Sequence, residues 1–147
     1  TLAKGLRPQI GGPKEVSIVH VRDLVEGMVA AAEHPAGAGE VFFLSHSQSW
    51  IMSDLMDLIL DILEKKCVLS VPVPDRAVRF LAGVAEDSAR ALGKYSMFNR
   101  DKAMELTQSA WVCSSEKAAR LLGWKARIPI EEGLRSTLDW FRLHNLL

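Results

Sequence analysis

The sequence predicts an α/β fold rich in helix, and three neighbouring stretches carry the prediction. Val16, Ile18, Val19 and Val21 are β-branched and closely spaced, as in a buried strand. Leu24, Val25, Met28, Val29 and Ala32 then recur at helical spacing and form one apolar stripe. Val41, Phe42, Phe43 and Leu44 make a short, wholly apolar run, the pattern of a strand covered on both faces. Strand, crossover helix and second strand form the repeating unit of α/β architecture.

Taken in order, residues 1–15 read as the end of a helix and then a turn at Pro8, Gly11-Gly12 and Pro13. Asp23 is placed to cap the helix over 24–33, which His34-Pro35, Gly37 and Gly39 end. SHSQSW, residues 45–50, is a polar loop at the carboxyl end of a strand, where open α/β sheets bind ligands. Ser53 is the expected N-cap of a helix carrying Leu55, Met56, Leu58, Ile59, Ile62 and Leu63, which stops near Lys65-Lys66. Residues 67–71 read as a third strand, confined to an edge by Pro72 and Pro74. Asp75 opens a long helix over 76–92, with Ala77, Val78, Phe80, Leu81, Val84, Ala85, Ala89 and Leu92 expected inward and Gly93 at its C-terminal end. Asn99 caps a short helix over 100–106, and Trp111 to Cys113 read as extended. Ser114 or Ser115 caps a helix over 115–122 that Gly123 ends; a last helix over 130–144 turns Leu134, Leu138, Trp140 or Phe141, and Leu143 inward.

A chain of 147 residues, 48% hydrophobic and 24% charged, fits one domain with a real core. Eighteen basic residues balance eighteen acidic ones, so no electrostatic footprint points to nucleic acid. No apolar run approaches the ~20 residues of a membrane span. Cys67 and Cys113 match no metal-ligand spacing and read as free thiols of a reducing cytoplasm; no metal is expected.

Three motifs bear a family likeness. VHVRDLVEGMVAAAEHPAGAGEVFFLS, residues 19–45, resembles the hydrophobic strand, V-x-D-L/V-A helix and G-x-V-Y/F strand of the extended short-chain dehydrogenases/reductases, the NAD-dependent epimerase/dehydratase superfamily. Trp111 to Ala118 and Leu121-Leu122-Gly123-Trp124 resemble that family's W-x-x-D/S-x-x-K-A-x-x-x-L-G-W/F segment. Ile130-Glu131-Glu132-Gly133-Leu134 through Asp139-Trp140-Phe141 resembles its closing L-E-E-G-L-x-x-T-x-x-W-Y/F. Together they span nearly the whole chain, and FNRDKAMELTQSAWVC looks closest to the branch of dihydroflavonol reductases and 3β-hydroxysteroid dehydrogenases.

The resemblance also shows what this sequence lacks. Gly11-Gly12 has neither the third glycine nor the preceding strand of a dinucleotide-binding turn. The single tyrosine, Tyr95, has Asn99 where a Tyr-x-x-x-Lys pair needs lysine. The expectation is therefore a C-terminal fragment, residues 1–147, with no catalytic residue of its own and no cofactor bound to it; NAD or NADP serves the parent. Residues 24–65 are expected to return to the nucleotide-binding sheet as its last strand and flanking helices. Residues 1–23 and 66–147 are expected to form a helix-rich substrate-binding lobe. The small-molecule substrate is a carbonyl or alcohol, with Trp50, Phe80, Met97, Phe98 and Arg100 as candidate contacts; Arg100 has the guanidinium geometry that holds phosphates in nucleotide-sugar epimerases. Residues 41–44, uncharged and without their sheet neighbour, are expected to pair chains into a homo-oligomer. The alternatives are a non-catalytic, nucleotide-sensing member of the superfamily and a free-standing binding module. His20 is expected to bond to backbone, since no partner carboxylate is fixed by the sequence.

Overall fold

The structure, a computed structural model, describes residues 6–65 and 69–146. Residues 1–5 of the expected helix end, and Cys67, lie outside the described residues. The described elements are β1 (Leu6–Ile10), β2 (Glu15–Val16), α1 (Val21–Glu33), a 3-10 turn (Pro35–Gly37), β3 (Trp50–Ile51), α2 (Met52–Ile62), β4 (Leu69–Val73), α3 (Asp75–Ala91), α4 (Arg100–Leu106), β5 (Ala110–Trp111), α5 (Glu116–Leu122) and α6 (Ile130–Leu143). The architecture is α/β and helix-rich, as expected. The chain divides into two compact units, residues 1–14 with 65–110, and residues 15–64 with 111–147.

In the first unit β1 pairs parallel with β4, in register from Leu6↔Leu69 to Ile10↔Val73. A turn was expected around Pro8, but residues 6–10 are a strand. In a two-stranded sheet every strand is an edge, so Pro8 and Pro72 forgo their N–H bonds without breaking a ladder on both sides. Gly11 ends β1 at φ 67°, and its N–H donates to the Val73 carbonyl at 3.2 Å. The core joins Val78 and Ala82 of α3 to Ala103 of α4, with Ile10, Val73 and Phe98 packed against it. This corrects the inward face expected for α3. Phe80, Leu81, Val84 and Leu92 are exposed, because α3 carries two apolar faces and α4 covers the one built from small side chains. Asp75 is also not a cap: Pro74 holds the N-cap position and Asp75 is the first helical residue, where its charge still suits the helix dipole. Asn99 caps α4 as expected, accepting from the Lys102 N–H at 2.9 Å.

In the second unit β2 pairs antiparallel with β3, and β5 lies on the other side of β2. The strand expected over 16–21 stops at Val16, and α1 begins at Val21. Its N-cap is His20, whose Nδ1 accepts from the Arg22 N–H at 3.3 Å. Asp23 is thus no cap. It is buried, and its Oδ2 accepts from the N–H groups of Arg127 at 3.1 Å and Ile128 at 2.9 Å, while its carbonyl takes the Trp124 Nε1–H at 3.0 Å. One turn on, Gly27 makes room for this packing: a Cβ there would lie 2.8 Å from Leu44 Cδ1 and 2.9 Å from Trp124 Cε2.

Of two further caps, the one expected at Ser53 is corrected and the one expected at Ser114 or Ser115 is found. Ile51 precedes α2, so Ser53 sits inside the helix, its hydroxyl donating to Asp54 at 3.1 Å. Ser115 holds the N-cap position of α5 without a side-chain bond, and Ser114, one residue outside, accepts the Glu116 N–H at 3.2 Å. Gly123, at φ 67°, ends α5 as expected. Trp124 is buried, but Trp140 is half exposed, stacked on His144 with ring centroids 4.1 Å apart; α6 buries Gly133 and Leu138 instead.

Residues 41–44 do not form the expected strand. Among the described residues Phe42 and Phe43 make no backbone hydrogen bond, and residues 41–44 belong to neither sheet. Their exposure nevertheless alternates as in a strand: Val41 and Phe43 point outward, Phe42 and Leu44 inward. α1 likewise turns Val25, Met28 and Val29 outward.

Candidate functional site

Four of the five candidate substrate contacts lie in the first unit, around the α3–α4 corner. Phe80 is exposed on the free apolar face of α3, and Met97, at 89% exposure, stands on the loop that leaves it. Phe98 is half buried against Val78, Ala82 and Ala103, and the Ser96 hydroxyl donates to its carbonyl at 2.7 Å. Arg100 is engaged with carboxylates. Its Nη1 and Nη2 donate in parallel to Asp87 at 3.0 and 2.7 Å, Nη1 lies 3.2 Å from Glu86, and its backbone N–H donates to Glu86 at 3.0 Å. The consequences are mutual. The backbone N–H of Arg100 holds the Glu86 carboxyl below its usual range, the Arg100 guanidinium does the same to Asp87, and these carboxylates raise the guanidinium's own pKa. A planar fork already filled bidentately by one carboxylate ties α4 to α3 and is not open to a phosphate.

Trp50 belongs to the second unit. It pairs with Val16 on β3, and its indole Nε1–H is enclosed without a hydrogen-bond partner among the described residues. Beside it the expected polar loop contributes Ser47 and Ser49 to an open cleft of about 700 Å³. Ser114, Ser115, Arg120, Lys125, Glu15 and Glu116 also line it. Ser45, from the same loop, is instead buried; its hydroxyl donates to the Cys113 carbonyl at 3.2 Å. The Ser49 hydroxyl donates to Glu15.

Sequence reasoning missed the cation that holds the loop's approach. Lys117 of α5 donates to Glu40 at 2.6 Å and to the Val41 carbonyl at 2.9 Å, and its ammonium sits 5.1 Å from the centroid of the Phe42 ring. The Lys-Ala pair of the WVCSSEKA motif was the signal that could have found it. His20 behaves as a structural residue. With Nδ1 accepting, Nε2 carries the proton toward the Ser136 oxygen at 3.2 Å, and Ser136 donates to the Gly133 carbonyl at 2.9 Å.

No protein-family model matches the sequence. Among curated proteins the chain is 26% identical over 141 residues to the uncharacterized protein y4nL of Sinorhizobium fredii, covering 93% of this chain and 39% of that one. It is 30% identical over 125 residues to the 4-hydroxy-2-methyl-3-oxo-4-farnesyl-3,4-dihydroquinoline-1-oxide ketoreductase of Stigmatella aurantiaca, covering 84% of this chain and 37% of that enzyme. Among solved structures, gox2253 superposes with a TM-score of 0.67 at 26% identity, over 95% of this chain and 40% of that one. A short-chain dehydrogenase/reductase superfamily protein of Agrobacterium tumefaciens, solved with NAD, gives a TM-score of 0.58 at 20% identity, over 95% of this chain and 34% of that one. The chain has the fold of this part of the short-chain dehydrogenases/reductases. The same fold is seen in the UDP-glucose 4-epimerase of Thermotoga maritima, with a TM-score of 0.65 at 22% identity over 97% of this chain and 37% of the epimerase. The chain spans about two fifths of the length of the curated relatives it matches. Among its described residues no helix is long and apolar enough to cross a membrane.

Proposed function

We propose that the chain is the substrate-binding, C-terminal part of a cytoplasmic NAD(P)-dependent oxidoreductase or epimerase acting on a carbonyl or alcohol, and that its substrate is apolar and uncharged. The observation that carries the reading is the α3–α4 corner. Phe80, Leu81 and Val84 present a free apolar face, Met97 is exposed on the loop after the helix, Phe98 packs on the covered face of α3, and the guanidinium of Arg100 is committed to Asp87 and Glu86. A site for a nucleotide sugar needs open cations, whereas this one offers apolar area and a polarizable thioether. The relation to a ketoreductase named for a farnesyl-bearing substrate supports the same choice.

On this reading residues 24–65 complete a dinucleotide-binding sheet, and residues 1–23 and 66–147 serve the substrate. Hydride transfer and the proton work of a Tyr-x-x-x-Lys pair belong to the dinucleotide-binding part of the parent protein. Trp50, in the second unit, is a candidate ligand contact of its own, its Nε1–H having no acceptor among the described residues. Arg100 acts as a positioning residue for α4 rather than as a ligand. The chain also forms a homo-oligomer through residues 41–44.

The test is a calorimetric titration of the 147-residue chain with NADPH. The pyrophosphate site of this superfamily requires a Gly-rich turn at a helix N-terminus, which this sequence lacks, so no binding is expected. Micromolar binding would overturn the assignment of cofactor binding to another part of the protein.

A further inference from the structure

The turn into α5 and the start of that helix grip residues 40–46, EVFFLSH, at both ends. At the near end Lys117 donates to Glu40 at 2.6 Å and to the Val41 carbonyl at 2.9 Å, with its ammonium 5.1 Å from the centroid of the Phe42 ring. At the far end the Cys113 carbonyl, earlier on the same turn, accepts the hydroxyl of the buried Ser45 at 3.2 Å. Cys113 is itself held, its N–H donating to the Ser17 hydroxyl oxygen at 3.1 Å, and the Ser17 N–H donates to the Trp111 carbonyl at 2.8 Å. The His46 N–H then reaches the Ile18 carbonyl at 2.9 Å. Among the described residues neither grip uses a backbone group of Phe42 or Phe43, so the clasp leaves both to a sheet.

We infer that Lys117 is a positioning residue: it sets where the last strand of the dinucleotide-binding sheet lies against the substrate-binding part, and so where the polar loop over 45–50 begins. This rests on the placing of residues 24–65 in that sheet in the proposed function. Lys117 belongs to residues 66–147, so a single ammonium joins the two parts, both within the second unit at this point. An exposed ion pair alone contributes little, because water screens it and two long side chains must be held still. Lys117 adds to that pair a backbone carbonyl and an aromatic face, contributed by three successive residues. Glu40 and Phe42 share one face of an extended segment, and a slip by one residue would turn both away from Lys117. The contact also holds the Glu40 carboxyl below its usual range, through the hydrogen bond first and the charge second. The register so fixed matters to function, because the loop leaves the carboxyl end of the strand, where open α/β sheets bind ligands.

The test is amide hydrogen exchange, read by NMR on the full 147-residue chain. The reporter is the His46 amide, bonded to Ile18 at the far end of the segment; the Arg127 and Ile128 amides, bonded to Asp23, report on the rest of the unit. Lys117→Gln is expected to speed His46 exchange about tenfold, since an exposed ion pair and a cation–π contact are lost together. Exchange at Arg127 and Ile128 is expected to stay at the wild-type rate. Lys117→Arg keeps the charge and the ring contact and is expected to match wild type at His46. Glu40→Gln removes the carboxylate alone and is expected to give a smaller acceleration, which keeps the inference testable if Lys117→Gln does not fold. Wild-type exchange at His46 in both Lys117→Gln and Glu40→Gln would overturn the inference. So would equal acceleration at His46, Arg127 and Ile128, the mark of a residue that only stabilises the unit, or an arginine variant that exchanges as fast as the glutamine one. None of these results bears on the NADPH titration, so the two readings fail separately.

Discussion

Asp23 shows how much one carboxylate can organise. It sits within the first turn of α1, where a sequence reader looks for a cap, yet it is buried and bonds to backbone more than 100 residues away. Removing it strands two part-buried N–H donors, at a cost of about 1–3 kcal/mol each when water cannot replace the acceptor, so Asp23→Ala is expected to lose about 3 kcal/mol in denaturant unfolding. Asp23→Asn keeps an acceptor oxygen and is expected to lose less; equal losses would show that the charge, not the acceptor, matters. The tryptophans follow the same logic of burial. Trp124→Ala opens a buried cavity and is expected to cost about 3 kcal/mol, whereas the half-exposed Trp140 is expected to cost about 1 kcal/mol or less. Similar losses for both in parallel melts would contradict the burial pattern.

At the scale of elements, α3 and α4 are joined by small side chains inside and by Arg100 outside. The Glu86 and Asp87 carboxyls are held below their usual range by Arg100. A carboxylate depressed in the folded state stabilises fully above its unfolded pKa, about 4, and loses that contribution as pH falls through the folded value. The melting temperature is therefore expected to drop as pH falls below about 4, with Arg100→Gln showing a shallower drop than wild type. The fluorescence-monitored melts of the two proteins must diverge above that range and converge below it; parallel curves would mean that the tie does not hold α4. The same corner explains a misread face. Helical periodicity correctly finds an apolar α3, but it cannot tell which of two apolar stripes meets α4. Val78, Ala82 and Ala103 win because small residues let two helices approach closely.

Across the whole molecule, the order of elements was legible where local chemistry decides it. The long periodic helices, the Asn99 cap and the Gly123 stop all follow from neighbouring residues. What was not legible depends on distant partners. Whether residues 41–44 become a strand is decided by a neighbour, and the burial of Asp23 by residues 127–128. Of the candidate contacts, the α3–α4 corner gathers Phe80, Phe98 and Arg100 in one unit, with Met97 on the loop between, but Arg100 proves to be held by carboxylates that sequence spacing could not assign to it. The fold itself was legible from three motifs, because their spacing reflects turns and helix ends that it requires.

The central claim is that this corner receives an apolar, uncharged substrate. Methyl-resolved NMR of the 147-residue chain tests it directly, with Met97, Leu81 and Val84 as reporters. Titration with a long-chain aryl ketone is expected to shift these three methyl groups in a saturable way, and the shifts are expected to vanish in Phe80→Asp. Saturable shifts at the same methyls with UDP-glucose, or none with the ketone, would contradict the account.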